Sequence, residues 1–217
     1  MNFKALSGGI PISGAHFLIE LEDKRIVIDC GAVQTGGKVL PPPIAKGRID
    51  ALFLTHGHLD HIGMLPIFVN EHPDTPVYGT KVTWRFARML LWDSFRVAMH
   101  KLERGEKVET YFSASDIERA LNLKKFNLVR EPEWFSPWPG WKIRFWPAGH
   151  INGAASIHIV SPKGFRIIHS ANVMRLIIQQ CFMKQFKNTR VFVCPATRSC
   201  ESMPFDREYG KLPVFFS

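Results

Sequence analysis

The chain has 217 residues, of which 46% are apolar and 22% charged, a balance typical of a globular protein with a buried core. Its net charge of +9 favours anionic partners such as nucleic acid over a neutral small molecule. No apolar run approaches the ~20 residues of a membrane span, and the N-terminus lacks a signal-peptide pattern. The four cysteines form no C-x-x-C pair, so we expect reduced thiols in a cytoplasmic protein without a membrane partner.

The first third of the chain is predicted to contain mostly short strands. Two β-rich runs, 16–20 and 25–30, form a predicted hairpin. The Gly- and Pro-rich stretch 32–48 is predicted to be a loop. A short apolar strand over 50–55 then leads into a group of histidines, and apolar residues at helical spacing predict a helix over 61–70.

Helices and strands mix in the rest of the chain. After a short strand over 76–79, the clearest helix is predicted over 81–102, and a second one, capped near Ser113, over 115–125. The remaining predicted strands are 141–146, 155–160, 165–169 and 190–194. Because strands and helices do not alternate strictly, we expect an α+β layered sandwich rather than a doubly wound sheet.

The group of histidines has the composition and spacing of a metal site. His56 and His58 are two residues apart on an extended segment, so both imidazoles point the same way and can reach one ion. Asp60 and His61 follow where the chain turns into a helix, and they can reach a second ion. Imidazole and carboxylate together suit Zn²⁺, with Mn²⁺ or Fe²⁺ less favoured. The alternative is a set of ordinary polar loop residues.

Two further candidates also follow predicted strands. His150, with Gly149 before it and Gly153 after it, is predicted to be a third ligand; the alternative is a lone loop histidine. Asp29 is predicted to hydrogen-bond a ligating histidine from outside the ligand set, the alternative being a simple turn aspartate. The other histidines are interpreted as structural or surface residues: His16, His72, His100, His158 and His169.

The segment 54–63, Leu-Thr-His-Gly-His-Leu-Asp-His-Ile-Gly, resembles the signature of the metallo-β-lactamase superfamily. Residues 28–34, 77–80 and 148–154 are similar to its β-CASP branch, which includes RNase J-like enzymes and the cleavage-and-polyadenylation endonuclease. The resemblance covers roughly residues 5 to 170 and implies an αββα sandwich, of which this chain carries the N-terminal half and the start of the C-terminal half.

The resemblance also implies a ligand set and a mechanism. His56, His58 and His150 are expected on one zinc ion, and Asp60 and His61 on the other. In the family these residues would hold two ions that supply a hydroxide for attack on the scissile phosphorus, because two metal ions stabilise both the attacking and the leaving oxygen. Asp60 is the expected catalytic residue, which orients that water or takes its proton.

The sequence departs from the family pattern in its last third. Asn172 stands where the family has a metal-bridging aspartate, so it is expected to be a weak ligand that offers a carbonyl oxygen but no charge. The segment 195–199 lacks the acidic residue of the family. The chain stops at Ser217 without the β-CASP insert and the C-terminal return, so residues 1–217 are predicted to be an incomplete metallo-β-lactamase-like domain.

The leading functional hypothesis is a zinc-dependent phosphodiesterase acting on RNA, with activity lowered by Asn172 and by the missing half. One alternative is a hydrolase of small esters or thioesters on the same fold, although residues 29–34 differ from the pattern of those enzymes. The other is a non-catalytic module that binds nucleic acid. A sheet edge or apolar patch that the missing half would cover favours a homodimer.

Overall fold

The fold is described from a computed structural model, which describes residues 1–7, 14–35, 38–40, 44–171 and 190–194. Two compact units are distinguished, residues 1–129 and residues 130–217. Asn172 and the segment 195–199 lie outside the described residues. Within the described ranges, no helix is both long enough and apolar enough to cross a membrane.

The first unit is built on strands. In chain order these are β1 (Asn2–Ser7), β2 (His16–Leu21), β3 (Lys24–Ile28), β4 (Val33–Thr35), β5 (Lys38–Leu40), β6 (Ala51–Phe53), β7 (Val77–Thr80) and β8 (Phe126–Val129). Six of them form one sheet in the order β1-β2-β3-β6-β7-β8. The pairs from β1 to β3 are antiparallel, and those from β3 to β8 are parallel. Strands β4 and β5 pair separately, so the prediction of a loop over 32–48 was wrong there.

Four helices belong to this unit: α1 (Leu59–Ile62), α2 (Leu65–Glu71), α3 (Lys81–Glu103) and α4 (Ala114–Ala120). The single helix predicted over 61–70 is two helices, and Pro66 lies in the first turn of the second, where its missing N–H costs no helical bond. Thr80 caps the start of helix α3, and its hydroxyl accepts from the Thr83 N–H at 3.0 Å. Helix α4 begins with a capping box between Ser113 and Asp116. It ends at Ala120, five residues before the predicted end.

The helices bury their apolar sides in one core with the six-stranded sheet. Leu52 and Phe126 from the sheet, Phe68 from α2, Leu91 from α3 and Ile117 from α4 all belong to this cluster and are fully buried. Strand β6 lies inside the sheet between β3 and β7, and all three of its residues are buried. This placement matters because the histidines follow β6 directly.

The second unit contains a five-stranded sheet. Its strands are β9 (Trp134–Phe135), β10 (Lys142–Pro147), β11 (Ala155–Val160), β12 (Arg166–Ala171) and β13 (Arg190–Cys194), in the order β13-β12-β11-β10-β9. All pairs are antiparallel except β12 with β13. Ile143 and Phe145 on β10 and Ile157 and Ile159 on β11 are buried, which gives this sheet an apolar face.

Candidate metal centre

Asp29 and Thr55 lie side by side because they follow neighbouring parallel strands. Ile28 at the end of β3 pairs with Phe53 in β6, so the two chains leave the sheet at the same edge. Asp29 is fully buried and adopts a φ of 58°, a conformation that aspartate tolerates better than most residues. Its carboxylate accepts from the Thr55 N–H at 2.8 Å and from the Thr55 hydroxyl at 2.7 Å.

The same carboxylate orients His61. The His61 Nδ1 lies 2.7 Å from Asp29 Oδ2, and since an ionised carboxylate has no hydrogen to give, the ring nitrogen donates. Burial lowers the pKa of His61, but the Asp29 charge and hydrogen bond, together with the Asp60 charge, raise it above its ordinary value. In the neutral ring the proton stays on Nδ1, so Nε2 carries the lone pair that a metal ion requires.

Thr55 orients the second imidazole. Because its single hydroxyl hydrogen points to Asp29, Thr55 Oγ1 accepts from His56 Nδ1, 3.1 Å away. His56 Nε2 then faces His58 Nδ1 at 3.1 Å. Two nitrogens bound to one tetrahedral zinc ion at ~2.05 Å lie about 3.3 Å apart, so these two imidazoles fit a shared ion.

Asp60 is partly open to solvent, with 41% of its side chain accessible. Its Oδ2 lies 3.6 Å from His61 Nε2, the atom that the Asp29 contact leaves for a metal. A nitrogen and an oxygen bound to one zinc ion at ~2.1 Å lie about 3.4 Å apart, so this pair also suits a shared ion. The arrangement therefore offers two donor pairs, and each joins a buried imidazole, His56 or His61, to a more exposed side chain.

Backbone contacts hold the helix that carries this pair. The Asp60 carbonyl accepts from the Ala15 N–H at 2.6 Å, and the His61 carbonyl accepts from the Cys30 N–H at 2.8 Å. A Cβ at Gly31 would lie 1.6 Å from the Asp60 carbonyl oxygen, so only glycine allows this approach. The Asp29-Cys30-Gly31 segment thus forms the support on which α1 rests.

His16, which the sequence indicates to be a structural or surface residue, is a buried structural residue that supports this site from outside the ligand set. It is fully buried, and its Nε2 accepts from the Ala45 N–H at 3.3 Å. Its Nδ1 must then be the protonated nitrogen, and it donates to the Asp29 carbonyl at 2.8 Å. Burial is the main reason that the pKa of His16 is lowered. His16 therefore holds the Asp29 peptide in place; the only sequence signal is a polar residue that opens the apolar strand β2.

His150 lies in the second unit, in the turn between β10 and β11. The flanking Gly149 and Gly153 have φ values of 75° and 77°, which agrees with the prediction that this turn needs glycine. The Ala148 N–H donates to the Ala154 carbonyl at 2.8 Å and closes the turn. The His150 side chain is half-buried, and its role as a ligand stays a prediction.

The model of the metallo-β-lactamase superfamily matches residues 11–159. The chain belongs to this superfamily. Ribonuclease TTHA0252 of Thermus thermophilus is 27% identical over 165 residues, 75% of this chain and 35% of the relative. Transcription termination factor FttA of Methanosarcina mazei is 31% identical over 71% of this chain and 24% of its own length. Cleavage and polyadenylation specificity factor 73 of Drosophila melanogaster is 26% identical over 81% of this chain and 25% of its own length.

These relatives confirm the predicted resemblance to the RNA-processing branch, and the matched part spans only about a quarter to a third of their length. Two solved structures share the fold at low identity. A protein of unknown function from Enterococcus faecalis has a TM-score of 0.58 at 18% identity and covers 88% of this chain and 48% of its own. Zn²⁺-bound PqqB from Methylobacterium extorquens has a TM-score of 0.52 at 11% identity and covers 84% of this chain and 60% of its own. The predicted α+β fold of the superfamily is therefore confirmed.

Proposed function

We propose that the chain is a zinc-dependent phosphodiesterase that acts on RNA. The observation that carries this proposal is the chain of buried contacts that fixes the ring nitrogens of His56 and His61. In it, the Asp29 carboxylate holds Thr55 and His61, and Thr55 in turn holds His56. Imidazoles held in this way bind a divalent cation more tightly, because the orientation of the ligands is already set.

The proposed ligands divide into two groups. We assign His56 and His58, which face each other at 3.1 Å, to one ion, with His150 as its third ligand as the sequence predicts. We assign Asp60 and His61 to a second ion, which binds more weakly because Asn172 supplies no negative charge. Zinc is the proposed metal because imidazole and carboxylate at tetrahedral spacing are its usual ligands. One or two bound ions are both compatible with this assignment.

The chain's own residues then have distinct tasks. Bound zinc lowers the pKa of a coordinated water toward ~7, so that hydroxide is available near neutral pH. Asp60 is the proposed catalytic residue, because its exposed carboxylate can orient that water or accept its proton. Asp29 keeps His61 in the tautomer with Nδ1 protonated, and His16 keeps Asp29 in position.

RNA is the proposed substrate because the charge and the relatives point the same way. The net charge of +9 favours a polyanion. One relative is named a ribonuclease and another a cleavage and polyadenylation factor. A small-ester hydrolase of the same fold would not need this charge. A non-catalytic RNA-binding module would keep the charge but would not cleave.

The test is cleavage of end-labelled single-stranded RNA by the full chain in zinc, in chelator, and in chelator followed by excess zinc. We expect cleavage that chelator abolishes and zinc restores. His58→Ala removes a proposed ligand and should abolish cleavage, whereas His100→Ala removes an exposed histidine at the end of α3 and should not. RNA that stays intact in zinc, or cleavage that persists in His58→Ala, would refute the enzyme assignment.

We also propose that the protein works in the reducing environment of the cytoplasm. Cys30 is a free, fully buried thiol beside the proposed site. Burial, with a smaller effect of Asp29, raises the pKa of Cys30 well above its ordinary value. This cysteine is therefore an unreactive packing residue and needs no disulfide partner.

A further inference from the structure

Helix α3 carries two stripes on opposite sides. The core side is the stripe of Thr83, Ala87 and Leu91, the three residues of the helix that are buried. The spacing of Arg85, Met89, Trp92 and Arg96 places them together on the opposite side. With Arg88 at its border, we call this group the arginine face: Arg85, Arg88, Met89, Trp92 and Arg96.

The arginine face is both charged and open. The three arginines are exposed, Met89 is 56% exposed, and Trp92 is half-buried. Among the described residues, no carboxylate lies within ion-pair distance of any of these arginines. Asp93 is the one acidic residue that lines the same groove. The face therefore presents three cations against one anion.

The helix that carries the arginine face packs against the proposed metal centre. A Cβ at Gly57, between His56 and His58, would lie 2.3 Å from the Cβ of Phe86, so α3 packs directly on the histidine segment. Arg85 is the neighbour of Phe86 in this first part of the helix. From Arg85 to Arg96 the face runs about 16 Å along the helix, the length of a few nucleotides.

We propose that the arginine face of α3 binds single-stranded RNA and leads it to the metal centre; this proposal rests on the function proposed above. Guanidinium groups bind phosphates with paired hydrogen bonds, and the exposed part of the half-buried Trp92 ring can stack on a base. Arginines with a tryptophan between them thus match the alternating phosphates and bases of a single strand. A second copy of the chain fits less well, because a symmetric contact would place three arginines against three arginines.

The experiment measures RNA binding by the full chain in chelator, so that cleavage does not enter. A short fluorescein-labelled oligouridylate is titrated across a salt series and followed by anisotropy. In Arg85→Ala/Arg96→Ala the dissociation constant should rise at least about tenfold at low salt. The slope of log K against log salt should fall by about 1.4, because each phosphate contact to a single strand contributes about 0.7.

A second variant distinguishes the contribution of base stacking to RNA binding from that of charge. Trp92→Ala should weaken binding at least about fivefold at every salt concentration and leave the slope unchanged, because stacking releases no counterions. The matched control is Lys46→Ala/Lys124→Ala, which removes the same charge from two other exposed positions of the first unit. Its affinity should stay within about twofold of the wild type. The substituted arginines and lysines are exposed and Trp92 is partly buried against the core, so circular dichroism verifies the fold of each variant.

Each outcome is decisive. If the arginine variant binds the oligouridylate as the control does, the arginine face is not an RNA surface. If polyglutamate displaces the RNA as well as unlabelled RNA does, the surface fits acidic proteins and the proposal fails. If the arginine variant loses binding while the wild type shows no cleavage in zinc, the RNA surface stands and the enzyme assignment falls.

Discussion

Replacing Asp29 by asparagine tests how the buried carboxylate prepares the metal ligands. Asparagine tolerates the φ of 58° at this position and has nearly the same shape, so the backbone is not disturbed. The carboxylate accepts three hydrogen bonds, one from the Thr55 N–H and two on its other oxygen. An amide keeps one acceptor oxygen and replaces the other by an NH₂ group, so one of the two sides meets a donor in place of an acceptor.

The expected losses of metal affinity and of folding stability follow from these contacts. The Thr55 N–H cannot accept, so the amide oxygen stays with it and the NH₂ group faces His61 Nδ1. His61 then favours the tautomer with the proton on Nε2, the atom proposed to bind metal. Loss of such a partner lowers metal affinity about 10- to 100-fold, or about 1.4 to 2.8 kcal/mol. Without metal, the lost charge-assisted bond lowers the free energy of unfolding by about 1.5 to 3 kcal/mol.

Zinc affinity is measured by competition with a chromophoric chelator, and stability by urea denaturation in excess chelator. The matched control is Asp50→Asn, an aspartate that accepts from the Arg25 N–H at 2.9 Å on the same sheet. It should lose stability but keep the zinc affinity of the wild type. An Asp29→Asn protein that binds zinc within about twofold of the wild type would refute the proposed role of the tautomer.

Three further predictions concern stability, each measured by urea denaturation. Gly57→Ala should cost about 1–3 kcal/mol of stability because its new Cβ would lie 2.3 Å from the Cβ of Phe86, and an unchanged free energy of unfolding would contradict this. Burial, then Arg144, lowers the pKa of His158 to about 3, so the unfolded chain takes up a proton below pH ~6.5 and the folded chain does not. Stability should therefore fall by about 2 kcal/mol from pH 6.5 to 5, and His158→Gln should remove that part; an unchanged pH dependence would be the contrary result. Ser113→Ala removes the cap of α4 and should cost about 1 kcal/mol, and no measurable loss would show that the cap contributes nothing.

The sequence predicted the elements that have strong local patterns. Helix α3 was placed within one residue of its observed end, because its apolar residues recur at helical spacing. Strands β1, β8 and β9 were not predicted. Residues 2–7 are largely exposed and owe their conformation to pairing with β2, and β9 has only two residues. Such strands depend on partners distant in the chain, which a local pattern does not contain.

The candidate metal ligands were predicted from the sequence, but the hydrogen bonds that hold them in place were not. The ligand candidates His56, His58, Asp60 and His61 follow from spacing alone. That Asp29 meets both Thr55 and His61 depends on the parallel pairing of β3 with β6, which brings residues 26 positions apart to one sheet edge. The contact of His16 with the Asp29 carbonyl depends in addition on a left-handed backbone at Asp29.

The central claim is that these imidazoles and carboxylates hold a divalent cation. The most direct test is the zinc content of the purified chain after exposure to excess zinc and desalting, measured by mass spectrometry. We expect at least one ion per wild-type chain, a clear loss in His56→Ala, and no loss in His72→Ala, whose imidazole contacts the Ala45 carbonyl. A wild-type chain that emerges free of zinc would contradict the claim.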